Sequence, residues 1–326
     1  MTLKKYESSY NKSNGYIMAD ETTIKEFAKN RYWGKIPEAE LEKALKIIDT
    51  EGWDAFARKY EDRLDFTTEE NRADWRFFVP LNSKSVVLDA GAGLGRITIP
   101  LARVVGKVIA CDTSLTRMRF LKKLAGSKGL SNVETVVADI FNPPFKDESF
   151  DLIVMNGLLE WVGRTDLYKD PREAQVASLK ICKKLLKKGG FLYIGIENRF
   201  ALSYLRGIDH SGLRFTSYMP RWLANRYSLF KIKHRYDTYT YNIWGYKKLL
   251  KEAGFENSDF RLVYPGYNQP RVIIPYDNIR LLKYTLESMM HGNTRIRKVA
   301  KLAARSTFLV WLYRNFFFSF SIFAQK

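Results

Sequence analysis

Val86-Val87-Leu88-Asp89-Ala90-Gly91-Ala92-Gly93-Leu94-Gly95-Arg96 is the stretch on which the reading of this 326-residue chain turns. A short apolar run ends in an acid, three glycines follow at alternate positions, and Ile97 to Val105 carry helical spacing. That is a strand, a tight turn and a helix. Glycines let the turn take backbone conformations closed to other residues and let a ligand approach the main chain, and the next helix begins with unpaired N–H groups. Outward from this point the texture repeats. KVIACD (107–112), VETVVAD (133–139), FDLIVMN (150–156) and FLYIGIE (191–197) alternate with segments of helical period. The alternation predicts an α/β fold with a parallel sheet covered on both faces.

The turn fits one kind of ligand better than another. A nicotinamide dinucleotide site wants GxGxxG, its third glycine packing helix on strand. Here the spacing is GxGxG, Arg96 stands in that third place, and an acid that would repel a pyrophosphate precedes the glycines. S-adenosylmethionine carries an ammonium group and no phosphate, so Asp89 favours it. Asp112, 21 residues after Gly91, suits the two ribose hydroxyls. Asp139, closing the third strand, suits the adenine amino group, with Ile140 against the ring. One acid at a strand end is an ordinary turn residue. Three in succession coincide with the sheet edge where open α/β folds bind ligands.

On these residues, 72–264 resemble the class I S-adenosylmethionine-dependent methyltransferases of the type-11 kind. VLDAGAGLG matches the family's first motif, Asp112 its second, ADI its third and FDLIVMNGLLEWVG its fourth; KKGGFLYIGIEN and GYKKLLKEAGF match the rest of the core. The resemblance implies a Rossmann-like seven-stranded sheet with helices on both faces. It implies cofactor contacts from Asp89, Gly91, Ala92, Gly93, Gly95, Asp112, Asp139, Ile140 and Asn156. RADWRFFVPL, IENRFALSYLRGIDHSGLRFTSYMPRW and YPGYNQPRVIIP further resemble a bacterial and archaeal set associated with cell-surface polysaccharide enzymes. That implies a glycan or lipid-linked sugar acceptor. Strand four ends in Met155-Asn156-Gly157-Leu158, not the Asn/Asp-Pro-Pro-Tyr of enzymes that methylate nucleobase amines. No carboxylate set of a magnesium-dependent enzyme is visible, so no metal is expected.

Methyl transfer is an in-line displacement at an activated carbon, and a base is needed when the nucleophile is a hydroxyl. His210 is the candidate base, as a neutral imidazole oriented by Asp209. Glu197, at the end of strand five, and Glu160, after strand four, are alternatives. A histidine held for structure alone remains open for His210, and His234 and His291 read as surface residues.

Residues 1–80 read as a helical extension, with helices at 20–32, 37–50, 52–65 and 68–80. Residues 81–326 read as the methyltransferase domain: a core at 81–198 and 243–264, a lid at 199–242, and C-terminal additions at 265–326. The core ends in a helix over 244–253 and a strand near 260–264. The additions are helices at 276–290 and 295–315, then SFSIFAQK as an edge strand. The lid stretch Arg199–Arg235 interleaves Arg199, Arg206, Arg214, Arg221, Arg226, Lys231, Lys233 and Arg235 with aromatic residues against the single acid Asp209.

The chain carries 54 Lys and Arg against 35 Asp and Glu, a net charge of +19. Residues 201–326 hold 21 of the basic and 7 of the acidic side chains. A field of this sign favours an anionic partner: an anionic glycan or lipid-linked sugar first, RNA second. The basic segment 295–315 suits peripheral contact with an acidic membrane. Two cysteines, Cys111 and Cys182, in no chelating spacing fit a reducing compartment. With no leader-like start, and with Arg314 and Asn315 interrupting the apolar run at 308–324, a cytoplasmic location is expected, peripheral to the membrane at most. A cofactor-binding scaffold without catalysis is the remaining alternative.

Overall fold

The computed structural model describes residues 11–13, 16–18, 38–60, 70–205, 209–288 and 295–326. The expected helix at 20–32, Arg206 and His291 lie outside the described residues. The chain divides into two compact units, residues 1–154 with 184–190, and residues 155–183 with 191–326.

In the first unit two short antiparallel strands, β1 (Asn11–Ser13) and β2 (Tyr16–Met18), precede the helices of an extension expected to be helical. Two helices follow, α1 (Glu38–Glu51) and α2 (Trp53–Tyr60). The predicted helix at 68–80 is a 3-10 segment, Glu70–Phe78. Next come β3 (Val86–Ala90), α3 (Thr98–Ala102), β4 (Lys107–Asp112), α4 (Leu115–Ser127), β5 (Val133–Val137) and β6 (Phe150–Asn156). β3 pairs in parallel with β4 on one side and β6 on the other; β4 pairs with β5, and β2 with the outer edge of β5. These central strands are apolar on both faces, which is why Val87, Val108, Val136 and Leu152 are fully buried.

α3 is shorter than its apolar run suggested. Pro100 lies in its first turn, where no backbone N–H is required, and the helix ends before Arg103. Asp151 ties the strand starts together: one carboxylate oxygen accepts Val86 N–H at 2.8 Å, and Lys187 Nζ donates to both oxygens. α1 and α2 lay Leu41, Leu45, Phe56 and Tyr60 on Met118, Phe120, Leu121 and Leu124 of α4, in one cluster with Ala92 of the glycine turn.

In the second unit the elements after β6 are α5 (Pro171–Leu185), whose last two residues count with the first unit, β7 (Leu186–Glu197), whose first five do, then α6 (Arg221–Ile232), α7 (Ile243–Glu252), β8 (Asn257–Tyr264) and β9 (Val272–Pro275). α8 (Ile279–Ser288), α9 (Arg295–Ala304), α10 (Thr307–Tyr313) and β10 (Ser319–Gln325) complete it. The helix expected over 295–315 is therefore broken at Arg305-Ser306. The expected lid contains α6, and β9 was not foreseen.

The terminal strand is also no edge. β10 runs antiparallel to both β7 and β8, in the middle of this unit's strands, and six of its seven residues are buried. Its apolar residues are not confined to alternate positions, as a strand with both faces covered requires. The strands predicted from sequence are thus shared out: the first four lie third-second-first-fourth in the first unit, and the second unit carries the fifth, the C-terminal strand and the sixth in that order. The parallel strand order of the first unit is the Rossmann-like arrangement expected from the sequence. Among the described residues, no helix is long and apolar enough to cross a membrane.

Gly95 holds the glycine turn to α4. Its φ is +89°, and a Cβ there would fall 2.1 Å from Leu121 Cδ1. Gly95→Ala is expected to lower stability by about 1–3 kcal/mol, through overpacking and backbone strain together. Urea denaturation of the two proteins measures it, and an unchanged midpoint would show that the turn absorbs the methyl group.

Candidate functional site

Two sets of polar side chains lie where strands end. In the first unit Asp89 and Asp112 are 2% and 4% exposed. Asp89 Oδ2 accepts from Thr98 Oγ1 at 2.6 Å. Burial pushes its pKa up to about 6, against the Thr98 hydrogen bond and the charge of Arg72, which lower it. A buried carboxylate short of positive charge is the donor chemistry that suits a ligand ammonium group.

Asp112 does a second job that the sequence did not reveal. Its Oδ2 accepts Gly93 N–H and its Oδ1 accepts Ser114 N–H, both at 3.0 Å. One carboxylate therefore fixes the glycine turn and the entry to α4, whose N-cap Ser114 accepts Arg117 N–H. Ser114 Oγ in turn donates to Glu38 Oε1 of α1 at 2.7 Å. Burial raises the Asp112 pKa against these hydrogen bonds and Arg117.

Gly91, Gly93 and Gly95 all have positive φ. Gly91 and Ala92 both donate to Cys111 O, which aligns the turn beside the end of β4. Asp139 lies two residues beyond β5, not at its last residue; its Oδ1 accepts Phe141 N–H at 2.9 Å, and Asp139 and Ile140 are half-buried. The residues expected to hold the cofactor in this unit thus stand at the carboxyl ends of β3, β4 and β5, and the buried carboxylates and glycine backbone fit the group.

The second unit gathers Glu160, Glu197 and His210. His210 Nε2 lies 3.0 Å from Glu197 Oε2 and 3.9 Å from Glu160 Oε1. The Trp161 ring meets the imidazole edge-on at 5.0 Å. Glu160 is fully buried, so desolvation, then the nearby Glu197 charge, raises its pKa well above the carboxylate range. Glu197 moves the other way: burial opposes its ionisation, but His210 outweighs it and lowers the pKa. For His210 burial favours the neutral ring, yet Glu197, then Glu160, raise it to about 9. The shifts run together: the balance of burial and mutual charge favours the protonated forms of Glu160 and His210 and the ionised form of Glu197.

Two expectations change. The two carboxylates that face His210 favour its protonated form over the neutral imidazole read from sequence. Asp209 is not its orienting partner: its oxygens are taken up by Ser211 N–H, Ser211 Oγ and Thr216 Oγ1, which close the local turn. Glu197 supplies the contact instead. Glu160, Glu197 and His210 each offer an atom within 4.8 Å of the others, a span that a divalent cation can bridge.

Tyr267 is the residue that sequence reasoning missed. Its hydroxyl is 3.5 Å from Glu160 Oε1, and its backbone N–H donates to Ser319 Oγ of β10. A Cβ on Gly157 would meet Tyr267 Oη at 2.8 Å, and one on Gly195 would meet the ring at 3.0 Å and Asn156 Oδ1 at 2.2 Å. These two glycines make room for the ring and for Asn156 at the end of β6. A glycine inside strand FLYIGIE was the available signal, since such a glycine marks close approach.

The basic lid is largely spent on itself. The Arg199 guanidinium donates to Ser217 O and Met219 O, that of Arg221 to Tyr236 Oη and Thr240 O, and that of Arg235 to Lys169 O and Thr165 O. Arg221 also stacks 4.1 Å from the Tyr239 ring. Three of the arginines read as anion-binding are therefore staples. Arg214, Arg226, Lys231 and Lys233 face solvent, and His234 is exposed as expected.

Residues 88–194 match the family model described as a methyltransferase domain. Among curated proteins the chain is similar to phosphoethanolamine N-methyltransferase 3 of Arabidopsis thaliana, 29% identical over 48% of this chain and 30% of that one. It is similar to the ubiquinone/menaquinone biosynthesis C-methyltransferase of Vibrio vulnificus, 27% identical over 75% of this chain and 93% of that one. The chain thus spans under a third of the plant protein and nearly all of the bacterial one. A solved S-adenosylmethionine-dependent methyltransferase from Aquifex aeolicus is 16% identical, covers 89% of this chain and 99% of its own, and gives a TM-score of 0.45.

Because a cationic ligand selects the ionised form of Asp89, affinity for S-adenosylmethionine is expected to fall about tenfold per pH unit below about 6. In Asp89→Asn that slope should vanish; calorimetric titration between pH 5 and 8 measures both, and an equal slope in the variant removes Asp89 from the ammonium site. Asp112→Ala should weaken binding by about 1–3 kcal/mol by the same titration, since it leaves buried N–H groups unpaired.

Proposed function

We propose that this chain, whose residues 88–194 match a methyltransferase domain, transfers a methyl group from S-adenosylmethionine to a hydroxyl of an anionic or lipid-linked glycan. The cluster Glu160–His210–Glu197 carries this reading. The cofactor supplies a methyl group already activated by its sulfonium, so an amine needs little more than positioning, whereas a hydroxyl must lose a proton. Glu160 follows the carboxyl end of β6 and Glu197 closes β7, the ends at which open α/β sheets take their ligands. A buried group that titrates above neutrality beside an imidazole is suited to receiving the acceptor proton. Tyr267, with its hydroxyl at Glu160, orients that carboxyl group.

Asp89, Asp112 and the glycine turn hold the cofactor in this reading, and the Glu160–His210–Glu197 cluster takes up the proton of the acceptor hydroxyl. The relatives act on a nitrogen in one case and a carbon in the other, by their names, so they leave the acceptor atom to the chemistry of the cluster. The anionic character of the acceptor rests on the positive field of residues 201–326, and its glycan identity on the sequence resemblance alone.

The cluster accepts a proton only after giving one up, so turnover should rise with pH from 7 through about 8 to about 9, as Glu160 and then His210 lose their protons. His210→Ala and Glu160→Gln should each depress kcat by about 10²- to 10⁴-fold and leave cofactor affinity nearly unchanged. The test supplies methyl-labelled S-adenosylmethionine with undecaprenyl-linked oligosaccharides, nucleotide sugars, phosphoethanolamine and total RNA, and identifies the product by mass spectrometry. An O-methyl ether on the first two supports the reading; label on nitrogen, carbon or RNA, or full activity in both variants, overturns it.

A further inference from the structure

α6 is built inside out. Its inner face is small and polar, with Ala224 and Ser228 fully buried, while Trp222 and Phe230 are 63% and 72% exposed and Leu223, Leu229 and Ile232 are exposed beside them. Residues 222, 223, 226, 229 and 230 share one side at helical spacing, so four large apolar side chains surround Arg226 on an exposed face, with Lys231 and the C-capping Lys233 at the end of the helix. A helix that keeps large side chains in water forgoes burial worth about 1.5–3 kcal/mol for each one that could be fully covered. Exposed apolar stripes of this kind mark interaction surfaces.

We infer that α6 docks this enzyme on an anionic phospholipid bilayer. Charge complementarity commits the face to that occupant. Between Asp209 and Asp237 the chain has no acidic residue. Arg221 and Arg235 turn inward to carbonyl oxygens, while Arg226 and Lys231 lie along their own neighbours Trp222 and Phe230. Aromatic rings at headgroup depth, aliphatic side chains below them and cationic groups spread toward phosphates are what an interfacial helix presents. Leucine and isoleucine offer nothing for a base to stack on, which separates this face from a single-strand platform. The staples of Arg199 and Arg221 hold the segments on either side of α6 to the unit, so the stripe is presented preformed. The inference deepens the lipid-linked side of the proposed function, but its measurement needs no acceptor.

The experiment is co-sedimentation of the full chain with vesicles of phosphatidylcholine containing 30% phosphatidylglycerol, and with pure phosphatidylcholine. Expected is binding to the anionic vesicles, weakened by 0.5 M salt, with a partition coefficient at least tenfold lower in Trp222→Glu/Phe230→Glu. A milder variant, Arg226→Glu/Lys231→Glu, keeps the apolar stripe and should also lose at least fivefold. Circular dichroism and S-adenosylmethionine affinity, both expected to match the parent protein, show that each variant is folded. No binding by the parent, or binding unchanged in both variants, overturns the inference. So does loss on changing Leu302 and Phe308 of α9 and α10 instead, which assigns the contact to the C-terminal helices. A light-scattering mass of two chains that drops to one in the Trp222/Phe230 variant also overturns it, since the stripe then joins copies of this chain. Failure of the hydroxyl reading would leave these outcomes untouched.

Discussion

A carboxylate with almost no access to water must be answered from inside the fold, and Asp112 is answered by the main chain. The N–H groups of Gly93 and Ser114 converge on it. This fixes the curvature of the glycine turn, the start of α4 and, through Ser114 and Glu38, the seat of α1. Once α4 is placed, Leu121 fills the space beside Gly95 and no side chain fits there. The geometry that presents this strand end to a cofactor is therefore also the geometry that packs the first unit. Asp89 differs in an instructive way. It has the Thr98 hydroxyl and the charge of Arg72 against full burial, and burial still holds its pKa up at about 6. The neighbouring strand ends thus divide the labour: one carboxylate is satisfied by structure, the other is left to be satisfied by a ligand.

The second unit solves the same problem with side chains. Glu160 and Glu197 cannot both ionise cheaply within one buried cluster, so one holds a proton and the other holds an imidazolium. The proton inventory is shared, and no single residue owns it. A cluster of this kind is sensitive to anything that adds or removes one charge, which is what an acceptor hydroxyl does when it becomes a nucleophile. The lid around it shows how a basic sequence can be deceptive. Guanidinium groups of Arg199, Arg221 and Arg235 are used to hold loop carbonyls, since a long connection with few backbone pairs must satisfy its C=O groups somehow. Apart from Arg214, what remains cationic toward solvent among the described lid residues lies on or just after α6.

Much of the core was legible from residues 85–197 alone. Strands buried on both faces must be continuously apolar, and the acids and glycines at their ends have few structural reasons to recur together. The misreadings were of a different kind. The stretch 295–315 has one uninterrupted helical period, yet it breaks at Arg305-Ser306, where tertiary packing overrides local pattern. SFSIFAQK looked like an edge because it comes last in the chain, although order along the chain says nothing about order in a sheet. Asp209 stood next to His210 in sequence and was paired with it on that ground. Neighbours in an irregular segment need not face one another, and Asp209 closes its own turn instead.

The sequence by itself determined the α/β alternation, the turn at Gly91–Gly95 and the strand-end acids, because each is a local consequence of burial, backbone freedom or charge. Only the tertiary structure decided which groups answer those acids. It placed Tyr267 over Gly157 and Gly195, set Glu197 and Glu160 on His210, and turned Arg199, Arg221 and Arg235 inward. The reason is physical: ionisation and hydrogen bonding depend on distances of a few ångströms between residues tens of positions apart, and no spacing rule along the chain encodes them.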